Sequence, residues 1–179
     1  MGRPATAKKD RLIDAAMVRY HHDGVAAASL ASVARDADVA PGNVYYYFRS
    51  KESLTEAVIA RWCDRVRAML TRHEAPADPL DRVRSFVAGA ADRGQAYADY
   101  GCPLAALATH SGRPLDLIRA WLTDQFAQLD PVSAPARADF CMASLQGSFA
   151  LAHAAGDPAI IARNVAQLHD WIGGLSAPI

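Results

Sequence analysis

The chain has 179 residues, of which 51% are apolar and 21% charged, and its 19 basic side chains balance 19 acidic ones. That length allows one good core, or a small domain fused to a larger one, and the composition is that of an ordinary globular protein. No apolar stretch reaches the roughly 18 residues a membrane span requires, and three widely spaced cysteines (Cys63, Cys102 and Cys141) suggest neither a disulfide framework nor a zinc site.

The opening segment, MGRPATAKKDR, is basic and lacks the apolar core of a signal peptide, so a cytoplasmic location is expected. A first helix is predicted from about Thr6 to His22, with Leu12, Ala15, Ala16 and Tyr20 inward and Gly24 closing it. Ser29 is a natural N-cap for a short second helix through Ala37, whose apolar face is Leu30, Val33, Ala34 and Ala37. A tight turn passes through Asp38, a residue type that tolerates the left-handed conformation. The third helix covers about Pro41 to Phe48. Ser50 then caps a long fourth helix over 51–72, with Glu52 in its first turn and Leu54, Val58, Ile59, Trp62, Val66 and Leu70 along it.

The polar, proline-rich stretch HEAPADP at 73–79 is the best domain boundary. It separates a small domain over 1–50, with connecting helix 51–72, from a larger one over 79–179. Five more helices are predicted beyond it, over 79–98, 103–110, 114–129, 134–155 and 158–175. Asp78-Pro79 and Asp157-Pro158 form cap-and-proline starts. With no convincing strand, the fold class is all-α. Residues 1–73 hold 12 of the 19 Lys/Arg and 8 of the 19 Asp/Glu, a surplus of four positive charges. Such a surplus fits either an anionic partner or ordinary surface scatter.

Winding residues 41–49 at 100° per residue puts Val44 and Phe48 on one face, with Tyr47 at its edge. Gly42, Tyr45, Tyr46 and Arg49 share the other face. Two short helices joined by a tight turn, the second projecting Gly, Asn, Tyr and Arg outward, form a helix-turn-helix whose second helix enters the DNA major groove. Gly42 lets the helix N-terminus approach closely, Asn43 can bond a base edge or a phosphate, and a Tyr ring can touch a thymine methyl. Lys51 would supply a charge to the DNA backbone.

These residues carry a family resemblance. RLIDAAMVRYHHDG and SLASVARDADVAPGNVYYYFRSKESL, with their spacing, resemble the DNA-binding domain of the tetracycline-repressor (TetR) family of bacterial regulators over residues about 10–60. By that resemblance Pro41, Gly42, Asn43 and Tyr45 sit where family members read the groove, and Tyr46, Tyr47 and Lys51 where they hold phosphates. Arg3, Lys8, Lys9 and Arg11 are candidates for further phosphate or minor-groove contacts. Three departures stand out. Ala40 replaces a frequent Ser cap, at about 1 kcal/mol of lost capping. Pro41 replaces a frequent polar residue, and Ala31 stands where many members place a polar residue near DNA, leaving Ser29 and Ser32 to substitute.

The resemblance also implies a homodimer on double-stranded operator DNA, released when a small molecule enters the C-terminal domain. The last two helices, rich in small residues on one side, fit a dimer interface built from Phe140, Leu145, Phe149, Ile161, Val165, Leu168, Trp171 and Ile172. The alternative is that they simply close the monomer core. Candidates for a ligand cavity are Trp62, Phe86, Tyr97, Tyr100, Cys102, His110 and Trp121, together with Gln125, Met142, Gln146 and Phe149. No acidic cluster suited to a cation is evident, so an apolar or aromatic inducer is expected. In GCPLAALATH, Pro103 starts a helix and leaves Cys102 at its N-terminus, a setting that activates a thiol. A similar segment occurs in one branch of the family, some of whose members sense electrophiles or oxidants, so Cys102 reads either as a sensor or as a packed residue. No nucleophile elbow, paired carboxylates, metal-ligand spacing or phosphate loop appears. An enzyme, a cofactor and a metal are therefore not expected. A regulator that does not respond to a ligand remains the other reading.

Overall fold

The computed structural model describes residues 4–175, and among these it contains ten helices and no strand. Four form the N-terminal unit: α1 (Pro4–Ala27), α2 (Leu30–Asp36), α3 (Pro41–Tyr47) and α4 (Lys51–Arg72). The rest are α5 (Pro79–Ala91), α6 (Gly94–Tyr100), α7 (Pro103–Leu107), α8 (Arg113–Ala127), α9 (Ala134–Ala155) and α10 (Ala159–Gly173).

The local signals act where they stand. Gly24 interrupts α1 at φ 79°, a region closed to most side chains, and Asp38 turns the chain after α2 at φ 50°. Ser29 and Ser32 form a reciprocal capping box at α2, as do Ser50 and Ser53 at α4. Asp78 accepts from the Leu80 N–H at 2.8 Å and Asp157 from the Ala159 N–H at 2.9 Å, each ahead of a helix carrying an early proline or next to one. Ala40 makes no side-chain cap at α3.

The stretch 79–98 is two helices rather than one. The chain breaks at Asp92 and Arg93, and α6 turns to pack across α9, where Tyr97 stacks on Phe149 (ring centroids 4.1 Å) and the His153 ring nitrogen bonds the Ala98 carbonyl at 3.0 Å. Its N-terminal Gly94 sits against Pro158, 3.6 Å from where a Cβ would stand. The segment predicted over 103–110 is helical only through Leu107, because 108–110 turn outward toward α8.

Two cores result. Leu12, Ala16, Tyr20, Val33, Val44 and Leu54 centre the N-terminal one; Val83, Leu122, Phe126, Cys141 and Ile161 centre the larger one. Helix α4 threads both, giving Leu54 and Val58 to the first and Val66 and Leu70 to the second, with Trp62 at the seam. Arg61 clamps α1 to α4 by reaching Asp10 (2.5 Å) and Asp14 (3.1 Å), and Arg65 also reaches Asp14 (3.0 Å). Such half-exposed pairs orient more than they stabilise.

Inside the first core, Thr55 Oγ1 donates to the Lys51 carbonyl at 2.9 Å and so accepts from the buried Tyr20 hydroxyl at 3.0 Å. Burial raises the Tyr20 pKa, with the Thr55 hydrogen bond opposing it. Thr55→Val strands that hydroxyl and should cost about 1–3 kcal/mol in urea unfolding, whereas adding Tyr20→Phe should recover most of the loss. A double variant no better than Thr55→Val alone would mean that the hydroxyl pair contributes little.

Candidate DNA-binding face and ligand cavity

Helix α3 is pinned by one residue and otherwise faces outward. Val44 is wholly buried, while Tyr45 is 59% and Tyr46 81% exposed; Pro41, Gly42 and Asn43 at its start are exposed too. Phe48, which leaves the helix in extended conformation, is buried behind it. Tyr47 is half-buried at the edge of the core and meets the Tyr46 ring edge-on at 5.0 Å. No atom lies within 4 Å of a Cβ placed on Gly42, so its surroundings are open for another molecule to approach.

The neighbouring polar residues are more committed than their sequence suggests. Ser32 Oγ–H donates to the Ser29 carbonyl (2.9 Å) and Ser29 Oγ–H to Ser32 Oγ (3.2 Å), so both hydroxyl hydrogens are used inside the cap. A phosphate contact from either would require the hydroxyl to turn out of it. Lys51 Nζ donates to the Ala26 carbonyl at 2.9 Å, which ties the start of α4 to the end of α1 and leaves two ammonium hydrogens free to face outward. Lys8, Lys9 and Arg11 are on helix α1 rather than on an extended arm; Lys8 is half-buried, and Lys9 lies 5.9 Å from the Phe48 ring centre. Arg3 lies outside the described residues.

The larger unit holds a cavity of about 630 Å³ between α4, α5, α6 and α9, within the range of small-molecule sites. Seven of the predicted residues line it: Trp62, Phe86, Tyr97, Cys102, Met142, Gln146 and Phe149. Four do not. Tyr100 points away and stacks on His22 (4.3 Å, 13°). His110 is exposed beyond the end of α7 and bonds Thr109. Trp121 is buried behind Phe86, ring centres 5.6 Å apart, and Gln125 is buried accepting from Arg82 at 3.2 Å. Helical spacing cannot tell a cavity wall from the layer behind it.

The residues that sequence reasoning missed are those at the rim: His21, Arg65, Arg72, His73, Asp92 and Arg93. The one signal available was the spacing of Trp62, Arg65, Met69 and Arg72, a single face of α4. The His73 ring nitrogen bonds Ser85 Oγ at 2.9 Å, and its pKa is depressed by burial first and then by the Arg72 and Arg93 charges. Burial raises the Tyr97 pKa, as does the adjacent Cys102, with Arg93 acting the other way. Cys102 is half-buried in the wall, but α7 spans only five residues, which removes most of the helix-dipole argument for its activation. Cys63 and Cys141 are core residues, and burial pushes the Cys141 thiol up to about 12.

The predicted dimer residues need correction. Leu145, Phe149, Ile161, Val165, Leu168 and Ile172 are buried within the monomer, and Trp171 is half-covered by Phe126 and Phe140, so they close the core of one chain. Only Phe140, 50% exposed, stands outside. The faces of α9 and α10 that remain free carry Ala143, Gly147, Ala150, Leu151 and Ala154 on one helix and Ala162, Ala166 and Gly173 on the other.

Comparison with known proteins bears on the first of these sites. The sequence profile described as "Bacterial regulatory proteins, tetR family" matches residues 12–58. The HTH-type transcriptional regulator BetI of Paraburkholderia phymatum is 34% identical over 90 residues, covering 49% of this chain and 46% of that protein. BetI of Paraburkholderia phytofirmans is 36% identical over 93 residues, with the same coverage. The chain thus spans about half the length of the curated relatives it matches. A TetR transcriptional regulator from Legionella pneumophila superposes with a TM-score of 0.80 at 19% identity, covering 95% of this chain and 97% of that one. The reduced form of Escherichia coli NemR gives a TM-score of 0.72 at 16% identity, with coverage of 96% and 99%. At such identities the structural matches establish the fold alone.

Proposed function

We propose that this chain, which belongs to the TetR family of bacterial transcriptional regulators through residues 12–58, is a repressor that binds a two-fold symmetric operator as a homodimer and leaves it when an organic ligand fills the cavity. Gly42, Asn43 and Tyr45 read bases in the major groove, while Tyr46, Tyr47 and Lys51 hold the adjoining phosphates. The observation that carries the reading is the course of α4. It is one unbroken helix from Lys51, beside the DNA-facing surface, to Arg72, at the cavity rim. A displacement at the cavity end therefore tilts the unit that carries α3. Helix α1 adds a second link, because His21 lines the cavity and its ring nitrogen bonds the Gly101 carbonyl at 3.0 Å.

The dimer is supported by the free faces of α9 and α10. Large apolar side chains stand exposed there (Phe140 at 50%, Leu151 at 62%) among alanines and Gly147, and small residues let helices of two copies approach closely. A Cβ on Gly147 meets nothing within 4 Å, so Gly147→Arg should leave the monomer folded. It should turn a dimer into a monomer in sedimentation equilibrium and weaken operator binding; an unchanged mass would place the interface elsewhere.

The test of the whole reading is selection of genomic fragments by the purified protein, followed by mobility shift in graded salt. Specific fragments should share a palindrome with half-sites roughly 34–36 Å apart, and affinity should fall steeply with salt. If no fragment outcompetes random DNA, the regulator reading fails.

A further inference from the structure

The cavity has an apolar interior and a rim on which arginines outnumber carboxylates three to one. Trp62, Met69, Phe86, Met142, Leu145 and Phe149 supply most of the interior. Arg65 and Arg72, seven residues apart on one side of α4, reach the rim, and Arg93 joins them from the turn between α5 and α6. Among the described lining residues Asp92 is the sole carboxylate.

The three arginines are not equivalent. Arg65 is occupied, paired with Asp14 at 3.0 Å and lying 5.5 Å from the Trp62 ring centre. Among the described residues, no carboxylate lies within ion-pair distance of Arg72 or Arg93, and Arg93 has the Tyr97 hydroxyl as a polar neighbour. Both line the same cavity as His73, whose protonation both charges depress. Arg93 reaches inward as well, acting on the hydroxyl of Tyr97, whose ring stacks on Phe149 at the apolar end.

A plainer account is that each arginine balances the negative end of a helix, Arg72 at α4 and Arg93 just past α5. A helix end carries about half a unit charge, so two helix ends offset only about one of the two guanidinium charges. Arginines without a carboxylate partner, at the mouth of an apolar cavity, suit a planar anion that each can grip with two N–H groups.

We infer that the ligand of this cavity is an amphiphilic carboxylate, its head held between Arg72 and Arg93 and its aromatic or aliphatic body lying against Phe86, Met142 and Phe149. This rests on the proposal that the cavity is the regulatory site, and it narrows the class of molecule that site accepts. A quaternary amine or other cation would meet three arginines and one carboxylate at the rim, and a neutral apolar molecule would make no use of Arg72 or Arg93.

The experiment uses matched probes on the full-length protein: 2-naphthoate, 2-naphthamide and 2-naphthylmethylamine, and the corresponding ten-carbon acid, amide and amine. Binding is followed by calorimetry and by release of selected operator DNA. At least one carboxylate should bind roughly tenfold or more tighter than its amide, the scale of a hydrogen bond to a charged group, and the amines should bind weakest. In Arg72→Met/Arg93→Met the preference for acid over amide should shrink to about threefold or less, with the thermal melting of the free variant reporting that it is folded. Amides or amines that bind as tightly as the acids overturn the inference, as does a preference that survives in the folded double variant, or a failure of every probe to bind. An amide that binds and releases DNA would sink the anion inference and leave ligand-responsive repression standing. A carboxylate that binds without releasing DNA would do the reverse.

Discussion

Leu107→Ala is expected to destabilise the protein by about 2–5 kcal/mol, the usual cost of truncating a fully buried leucine into a site that relaxes only in part. By sequence Leu107 belongs to the larger C-terminal half. In the fold it is 1% exposed and lies in the core of the DNA-binding unit, with Leu12, Ile13, Tyr20 and Val58 among the members of that cluster. One turn of helix, α7, thus plugs the larger unit into the smaller one. Truncating the plug weakens the small core and loosens the seam, so the DNA-binding unit should unfold first. Far-ultraviolet circular dichroism and tryptophan fluorescence should then part company in urea, because Trp121 and Trp171 pack in the larger core and only Trp62 touches both. Coincident transitions, with a destabilisation below about 1 kcal/mol, would show that α7 is not what joins the units.

Tyr45→Ala should weaken binding to a selected operator by about 5–150-fold, the range of one good side-chain contact to a base. Folding stability should stay within about 0.5 kcal/mol of wild type, because Tyr45 is more than half exposed and supports nothing behind it. The salt dependence should hardly move, since a neutral ring releases no counterion. Lys51→Met provides the contrast, with the salt slope falling by about one unit because one phosphate is no longer neutralised. Tyr45→Phe divides the effect between ring and hydroxyl. Wild-type affinity in Tyr45→Ala, measured by titration in moderate salt, would remove Tyr45 from the groove and leave Asn43 and Tyr46 as the readers to test.

Much of this was legible in the chain. Gly24 and Asp38 mark their turns because positive φ suits few residues, and Ser29, Ser50, Asp78 and Asp157 mark helix starts because exposed N–H groups need an acceptor nearby. The outward face of α3 followed from the angular spacing of Val44 against Tyr45 and Tyr46. In each case the deciding partner lies within four residues. The cavity was legible only by half. Trp62, Phe86, Tyr97, Met142 and Phe149 were visible as large apolar side chains at helical spacing, whereas Trp121 and Gln125 gave the same signal and lie behind the wall.

What the sequence determined by itself, then, is the four N-terminal helices, the capped helix starts and the outward face of α3, because short-range sterics and hydrogen bonding settle those within a turn or two of chain. The tertiary structure decided what depends on partners far apart in the chain. It split 79–98 so that Tyr97 could reach Phe149, sent Leu107 into the core of the other unit, and brought Arg72, His73 and Arg93 to one rim. It also turned the bulky side of α9 and α10 inward, leaving their small residues outside. An apolar stripe states that a helix face will be covered; whether its own chain or a second copy covers it depends on which neighbours the fold puts against it.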